Sequence, residues 1–264
     1  MSVPADGAPL PAIAFDRGEL RAALRWYDPD DPIFAGDFAA RLAAADAEVH
    51  VWLAVPDVGG DRDADVVTPW LSEPELTRRA GILHPRALAE FLAGRRLLRA
   101  IFGALLGVRP AAVAVIENRY GALSLDPAVH DTPWRFNISH TDGLIALAIA
   151  RTRIGIDVEY TTRPGRTVEL ADRFFAPAEI AALRALPEAR QRDRFFDLWT
   201  LKEAYIKARG MGLAIPLSDF AYHLDEQHVS LAVADATRDV PDASWRFRTA
   251  NIGAHHRLAI AASP

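Results

Sequence analysis

The chain has 264 residues, 50% hydrophobic and 25% charged, the profile of an ordinary folded protein and not of a disordered or fibrous one. It has no cysteine, which removes disulfides, thiol nucleophiles, zinc ribbons and iron–sulfur clusters, and its formal net charge of −5 argues against a nucleic-acid partner. Of its 30 basic side chains only Lys202 and Lys207 are lysines, five positions apart, which hints at a local requirement for ammonium groups.

The opening residues carry Asp6 and Asp16 and no basic cluster, so they do not read as a signal peptide. The longest apolar run, Gly143 to Ala150, is far short of the ~20 residues of a spanning helix, so a cytoplasmic protein without membrane association is expected. Residues 1–65 hold 5 basic and 13 acidic side chains, and about 1–45 are expected to form an acidic N-terminal extension. Residues 48–55 place Val49, Val51, Leu53 and Val55 on one face and predict a half-buried strand. Residues 77–109 carry seven arginines against the single acid Glu90, which suits either a solvated helix face or an anion site. Within them Pro85 opens a helix whose apolar residues recur at helical spacing to Gly107.

Residues 112–117 predict a strand and 118–121 a turn. Strands follow at 134–139, 143–150 and 153–160, and Arg151–Arg153 is the expected junction of two halves, 1–151 and 152–264. Helices are expected near 177–186 and 190–209, the second ended by Gly210 and Gly212, and strands at 218–223, 228–233, 244–249 and 256–261. Helices and strands mix without strict βαβ alternation, so the fold class is α+β.

In the strand at 153–160, Ile154, Ile156 and Val158 face the core while Asp157 and Glu159 share the other face. Their Cα atoms lie about 6.6 Å apart, which suits two carboxylates converging on one cation or, equally, the solvent face of an edge strand. Gly155 is on the same face and is expected to leave open space beside Asp157. In the helix at 190–209, Phe195, Leu198, Trp199, Leu201, Tyr205 and Ile206 cover over half the circumference, with Glu203 and Lys207 at i, i+4 on the margin. Lys202 falls inside the apolar arc, which is costly unless its ammonium meets an anion. Three carboxylates, Asp157, Glu159 and Glu203, point to a hard cation such as Mg²⁺ bound together with substrate phosphates, and so to metal-assisted attack at phosphorus. Ser139 and His140 point apart in a strand and form no nucleophile–base pair; they either hold a phosphate at a strand end or are structural.

Taken in order, FLAGRRLLR (91–99), RYG (119–121), FNISH (136–140), GIDVE (155–159), RFFAPAE (173–179) and WTLKEAYIKARGMGL (199–213) resemble the Sfp-type 4′-phosphopantetheinyl transferases, and LHPRALAEFLAGR looks most like the enterobactin-synthetase branch. The resemblance implies a pseudo-dimer of two similar α+β halves with coenzyme A in the cleft between them. It implies Mg²⁺-dependent transfer of the phosphopantetheine arm to a serine of an acyl or peptidyl carrier protein, releasing adenosine 3′,5′-bisphosphate, by a monomer. By that likeness Asp157, Glu159 and Glu203 are the metal acids. Glu203, or a water that it or Glu159 holds, takes the serine proton, and Lys207 steadies the pyrophosphate. Ser139 and His140 match positions that contact the 3′-phosphate of coenzyme A, Arg95 and Arg86 would serve its nucleotide end, and Glu179 matches a structural or carrier-facing glutamate. One departure is Ala122, where many members carry a lysine that touches the 3′-phosphate. The competing expectations are a degenerate module that binds coenzyme A or a carrier without reacting, and a Mg²⁺-dependent phosphohydrolase.

Overall fold

The helices and most of the strands expected from residue 48 onward are present in the computed structural model, which adds helices at 62–67, 73–80 and 171–174, a strand at 123–125 and several elements before residue 48. Described residues are 10–28, 30–34, 36–59, 62–165, 167–211, 214–233 and 245–263, so Gly212 and the first residue of the strand expected at 244–249 lie outside them. The first part of the chain gives β1 (Ile13–Phe15), β2 (Ala22–Trp26), α1 (Phe38–Ala44), β3 (Val49–Ala54), α2 (Arg62–Val67), α3 (Glu73–Ala80) and α4 (Pro85–Leu106). A short hairpin, β4 (Val115–Glu117) and β5 (Leu123–Leu125), leads to β6 (Arg135–Thr141), β7 (Leu144–Ala150) and β8 (Arg153–Tyr160). Then come α5 (Ala171–Phe174), α6 (Pro177–Arg184), α7 (Glu188–Arg209), β9 (Phe220–Leu224), β10 (Val229–Val233), β11 (Arg246–Ile252) and β12 (His256–Ser263).

The architecture is α+β and built of two similar halves. One four-stranded sheet runs β2-β3-β7-β6 and the other β1-β11-β12-β8. Each is backed by one 22-residue helix, α4 and α7, whose residues Leu97, Ile101 and Phe102, and Leu201, Tyr205 and Ile206, pack on its outer face. Both helices stop at a left-handed glycine, Gly107 and Gly210, as a helix C-terminus favours. The inner faces of the two sheets meet in a third core that joins Val49, Val51 and Leu53 to Ile154, Ile156, Leu258 and Ile260. Burying each such side chain is worth about 1.5–3 kcal/mol.

Two expectations need correction. β3 is not half-buried: all six of its residues are buried, because Val49, Val51 and Leu53 meet the opposite sheet while Trp52 and Ala54 meet the α4 side. Nor do residues 13–45 form an extension. β1 pairs antiparallel with β11 in the second sheet, β2 pairs parallel with β3 in the first, and Phe38 and Leu42 of α1 enter the core around α4. A strand inside the segment 1–151 thus belongs to the sheet of 152–264.

Candidate active site

β6 and β8 are the edge strands of their sheets and lie side by side without sharing a backbone ladder. Side chains two apart on β6 do the pairing instead, as strand periodicity allows. Asn137 Oδ1, Ser139 Oγ and Thr141 Oγ1 accept the backbone N–H groups of Ile156, Val158 and Tyr160 at 2.9, 3.3 and 3.1 Å. This polar comb satisfies edge donors that would otherwise be left without partners. It also fixes β8, the strand with the carboxylates, to the other half of the molecule.

The space expected beside Gly155 is filled. A Cβ there would lie 1.9 Å from Ala204 O and 2.5 Å from Ala208 N, so the backbone of α7 rests directly on β8. Only a residue without a side chain permits that approach. The contact turns Glu203 and Lys207 toward the acidic face of β8, which is therefore not a solvent face: Asp157 is 5% exposed.

Lys207 pairs with Asp157, not with its i−4 neighbour Glu203. Its Nζ is 2.7 Å from Asp157 Oδ1 and 2.9 Å from Ser139 Oγ. Ser139 also donates its hydroxyl to Asp157 Oδ1 at 3.0 Å. Glu159 accepts the Trp199 indole N–H at 3.0 Å and an Arg163 N–H at 3.1 Å. Glu203 is half-buried, and burial together with the nearby Asp157 and Glu159 charges pushes its carboxyl up to about 7 despite the opposing Lys207. Burial and the Asp157 charge likewise raise Glu159 to about 6, against Arg163, Trp199 and Lys207.

Glu203 and Lys207 line a cavity of about 540 Å³ with Arg78, Arg95, Tyr120 and His140. A second cavity of about 570 Å³ shares Lys207 and Ala122 with it. Gly210 also lines both, and its carbonyl accepts the Asn118 side-chain N–H at 3.0 Å. Among the residues expected at a nucleotide end, His140 is exposed at the cavity and its Nδ1 lies 3.2 Å from Glu90. Arg86 does not line this cavity and pairs with Asp142 at 2.6 Å. Arg95 lines it but is buried, its Nε 2.7 Å from Glu75. Ser139 is buried within the carboxylate group and does not line the cavity. Sequence reasoning missed Arg78 and Glu75, and placed Trp199 only in the core. The i, i+4 spacing of Trp199, Glu203 and Lys207 was the available signal for the last.

Most of the arginine block is engaged with carboxylates. Five of its seven arginines pair with carboxylates: Arg78 with Glu117, Arg86 with Asp142, Arg96 with Asp63, and Arg95 and Arg99 with Glu75. Lys202 also finds its anion. Its ammonium is fully buried, 2.7 Å from Glu179, and donates to the carbonyls of Leu217 and Phe220 at 2.7 and 2.6 Å. Glu179 accepts the backbone N–H groups of Ala176 and Tyr222 as well, so this pair ties α6, α7 and β9 together.

For a divalent cation, the donor set is all carboxylate oxygen, and Asp157 Oδ2 is buried with no hydrogen-bond partner. Among the described residues no three His, Asp or Glu side chains stand gathered into a ready-made metal cluster. The chemistry of the donors fits a hard cation, with Glu159 currently held by Trp199 and Arg163. Among the described residues no helix is long and apolar enough to cross a membrane.

A family model described as the 4′-phosphopantetheinyl transferase superfamily matches residues 153–261, from β8 to β12, the stretch that holds all three carboxylates. The 4′-phosphopantetheinyl transferase HetI of Nostoc sp. is 39% identical over 168 residues, 63% of this chain and 70% of its own. A Bacillus subtilis 4′-phosphopantetheinyl transferase is 32% identical over 214 residues, 81% of this chain and 90% of its own. The chain belongs to the 4′-phosphopantetheinyl transferase family. Among solved structures, the holo-[acyl-carrier-protein] synthase of Thermotoga maritima aligns to this transferase with a TM-score of 0.33 at 20% identity, over 43% of this chain and 64% of that one.

Proposed function

We propose that this transferase moves the 4′-phosphopantetheine arm of coenzyme A to a serine hydroxyl of an acyl or peptidyl carrier protein, with Mg²⁺, releasing adenosine 3′,5′-bisphosphate. The observation that carries the reading is the convergence of Asp157, Glu203 and Lys207 at a cleft between the halves in a chain of this family. Asp157 and Glu203 would hold the cation, joined by Glu159 on release from Arg163. Once bound, the cation supplies charge neutralisation at the pyrophosphate. Lys207 places an ammonium against a phosphate oxygen and steadies the charge that grows on the departing bisphosphate. The serine proton passes to Glu203 or to a water that Glu203 or Glu159 holds. His140 faces the nucleotide end, Arg86 would reach it only on release from Asp142, and Arg95 acts by shaping the cavity wall with Glu75. Both sides of the cleft come from one chain, which supports a monomer, and no membrane or nucleic acid is needed for a reaction in the cytoplasm.

The test is incubation with an apo carrier protein, coenzyme A and Mg²⁺. The carrier gains the mass of one phosphopantetheine arm. No gain on any of several fatty-acid, polyketide and peptide-synthesis carriers would overturn the reading.

A further inference from the structure

A serine hydroxyl can donate one hydrogen bond and accept two. Ser139 uses all three. It donates to Asp157 Oδ1 at 3.0 Å, accepts from Lys207 Nζ at 2.9 Å and accepts from Val158 N at 3.3 Å, with the residue 4% exposed. A phosphate oxygen taking its proton would have to displace the bond to Asp157 Oδ1. The two oxygens of Asp157 are also unequal. Oδ1 receives both the Lys207 and Ser139 donors, while Oδ2 is buried and receives none. Two donors on one oxygen fix the rotation of the carboxylate and hold the other oxygen free.

We propose that Ser139 is a positioning residue and not a phosphate ligand: its hydroxyl, contributed by the N-terminal half, locks Asp157 and Lys207 in one geometry and keeps the second Asp157 oxygen open to the cation. This rests on Asp157 as a Mg²⁺ ligand in the function proposed above. The comb supplies its own control. Thr141 makes the same kind of bond, accepting from Tyr160 N at 3.1 Å, but among the described residues no hydrogen bond links it to a carboxylate.

The experiment compares Ser139→Ala, Ser139→Thr and Thr141→Val. Each is measured by steady-state transfer to a carrier and by calorimetric titration of Mg²⁺ into the protein with coenzyme A present. Ser139→Ala lowers kcat and weakens Mg²⁺ binding, each by roughly 10- to 100-fold, the usual effect of losing a group that orients a metal ligand. Its KM for coenzyme A, and the rate ratio of coenzyme A to dephospho-coenzyme A, stay as in the unaltered enzyme. Ser139→Thr keeps the hydroxyl and recovers most of the kcat. Thr141→Val loses one comb bond and stays within about twofold in kcat. A selective rise in KM for coenzyme A but not its dephospho form overturns the proposal in favour of phosphate contact. Equal losses in Ser139→Ala and Thr141→Val overturn it in favour of the comb alone, and unchanged Mg²⁺ binding in Ser139→Ala also refutes it. Failure of the function itself looks different: the unaltered enzyme then transfers nothing to any carrier.

Discussion

Gly155→Ala is the sharpest single perturbation of this molecule. The added Cβ would meet Ala204 O at 1.9 Å, Ala208 N at 2.5 Å and the Ala208 Cβ at 2.9 Å. Ordinary contact begins near 3.4 Å, so α7 must withdraw from β8 by roughly 1.5 Å. Two of the three obstacles are backbone atoms of an intact helix and cannot rotate aside. Overpacking in a dense core costs about 1–3 kcal/mol, and rigid backbone puts this site at or above the upper end. The withdrawal also carries Glu203 and Lys207 away from Asp157, and a displacement of about 1 Å in a catalytic group can cost about 100-fold in rate. Urea unfolding should show a midpoint shift with unchanged slope, and the carrier mass assay a rate loss on that scale. Pairing the change with Ala208→Gly removes only the Cβ obstacle, so it should recover little. A Gly155→Ala enzyme within about 0.5 kcal/mol and twofold in rate of the parent would refute the close-contact account.

Glu203→Gln should lower kcat by roughly 100- to 10,000-fold, yet at pH 8 it should leave Tm unchanged or raised, because it removes a carboxylate that burial, Asp157 and Glu159 disfavour; a lowered Tm with retained rate would contradict the assignment. Lys202→Met leaves the Glu179 carboxylate and two carbonyls buried without their ammonium, and equilibrium unfolding should register a loss of about 3–5 kcal/mol. His50 sits buried between Trp52 and Trp134, and burial, reinforced by Arg25, lowers its pKa to about 4 from the ordinary 6.5. Between those values the unfolded chain holds the proton and the fold does not, so stability falls as pH drops from 6.5 toward 4, by on the order of 3 kcal/mol. His50→Leu should flatten that limb; the difference between the two proteins isolates it from Glu159 and Glu203, whose raised values act in the opposite sense.

How far the sequence spoke depends on whether a residue's partner is local. The carboxylates on β8 and the buried face of α7 follow from periods of 2 and 3.6, and the motif order carried the family. Alternation also placed Gly155 on the correct face, but a period says nothing of what stands opposite, and the expected gap holds a helix backbone. Lys202 was visibly anomalous, while its anion, Glu179, belongs to another helix and could not be paired with it by spacing. The arginine block looked free because its acids, Asp63, Glu75, Glu117 and Asp142, all fall outside 77–109. Ser139 matched a phosphate-contacting position by motif, while its bonds to Asp157, Val158 and Lys207 come from elements distant in sequence and are visible only in the fold. β1 has three residues and finds its partner 235 to 239 positions later, beyond any local signal.

That last pairing has a mechanical consequence. The chain between β1 and β2 is a strap: one end is sewn into the second sheet and the other into the first, with Arg17 clamped on Asp197 of α7 at 3.0 Å between them. Swinging the halves apart would shear this strap, unpick the comb and wet the apolar layer between the sheets. The strap therefore opposes rigid-body parting of the two sheets that bound the cleft, in addition to the apolar layer between them.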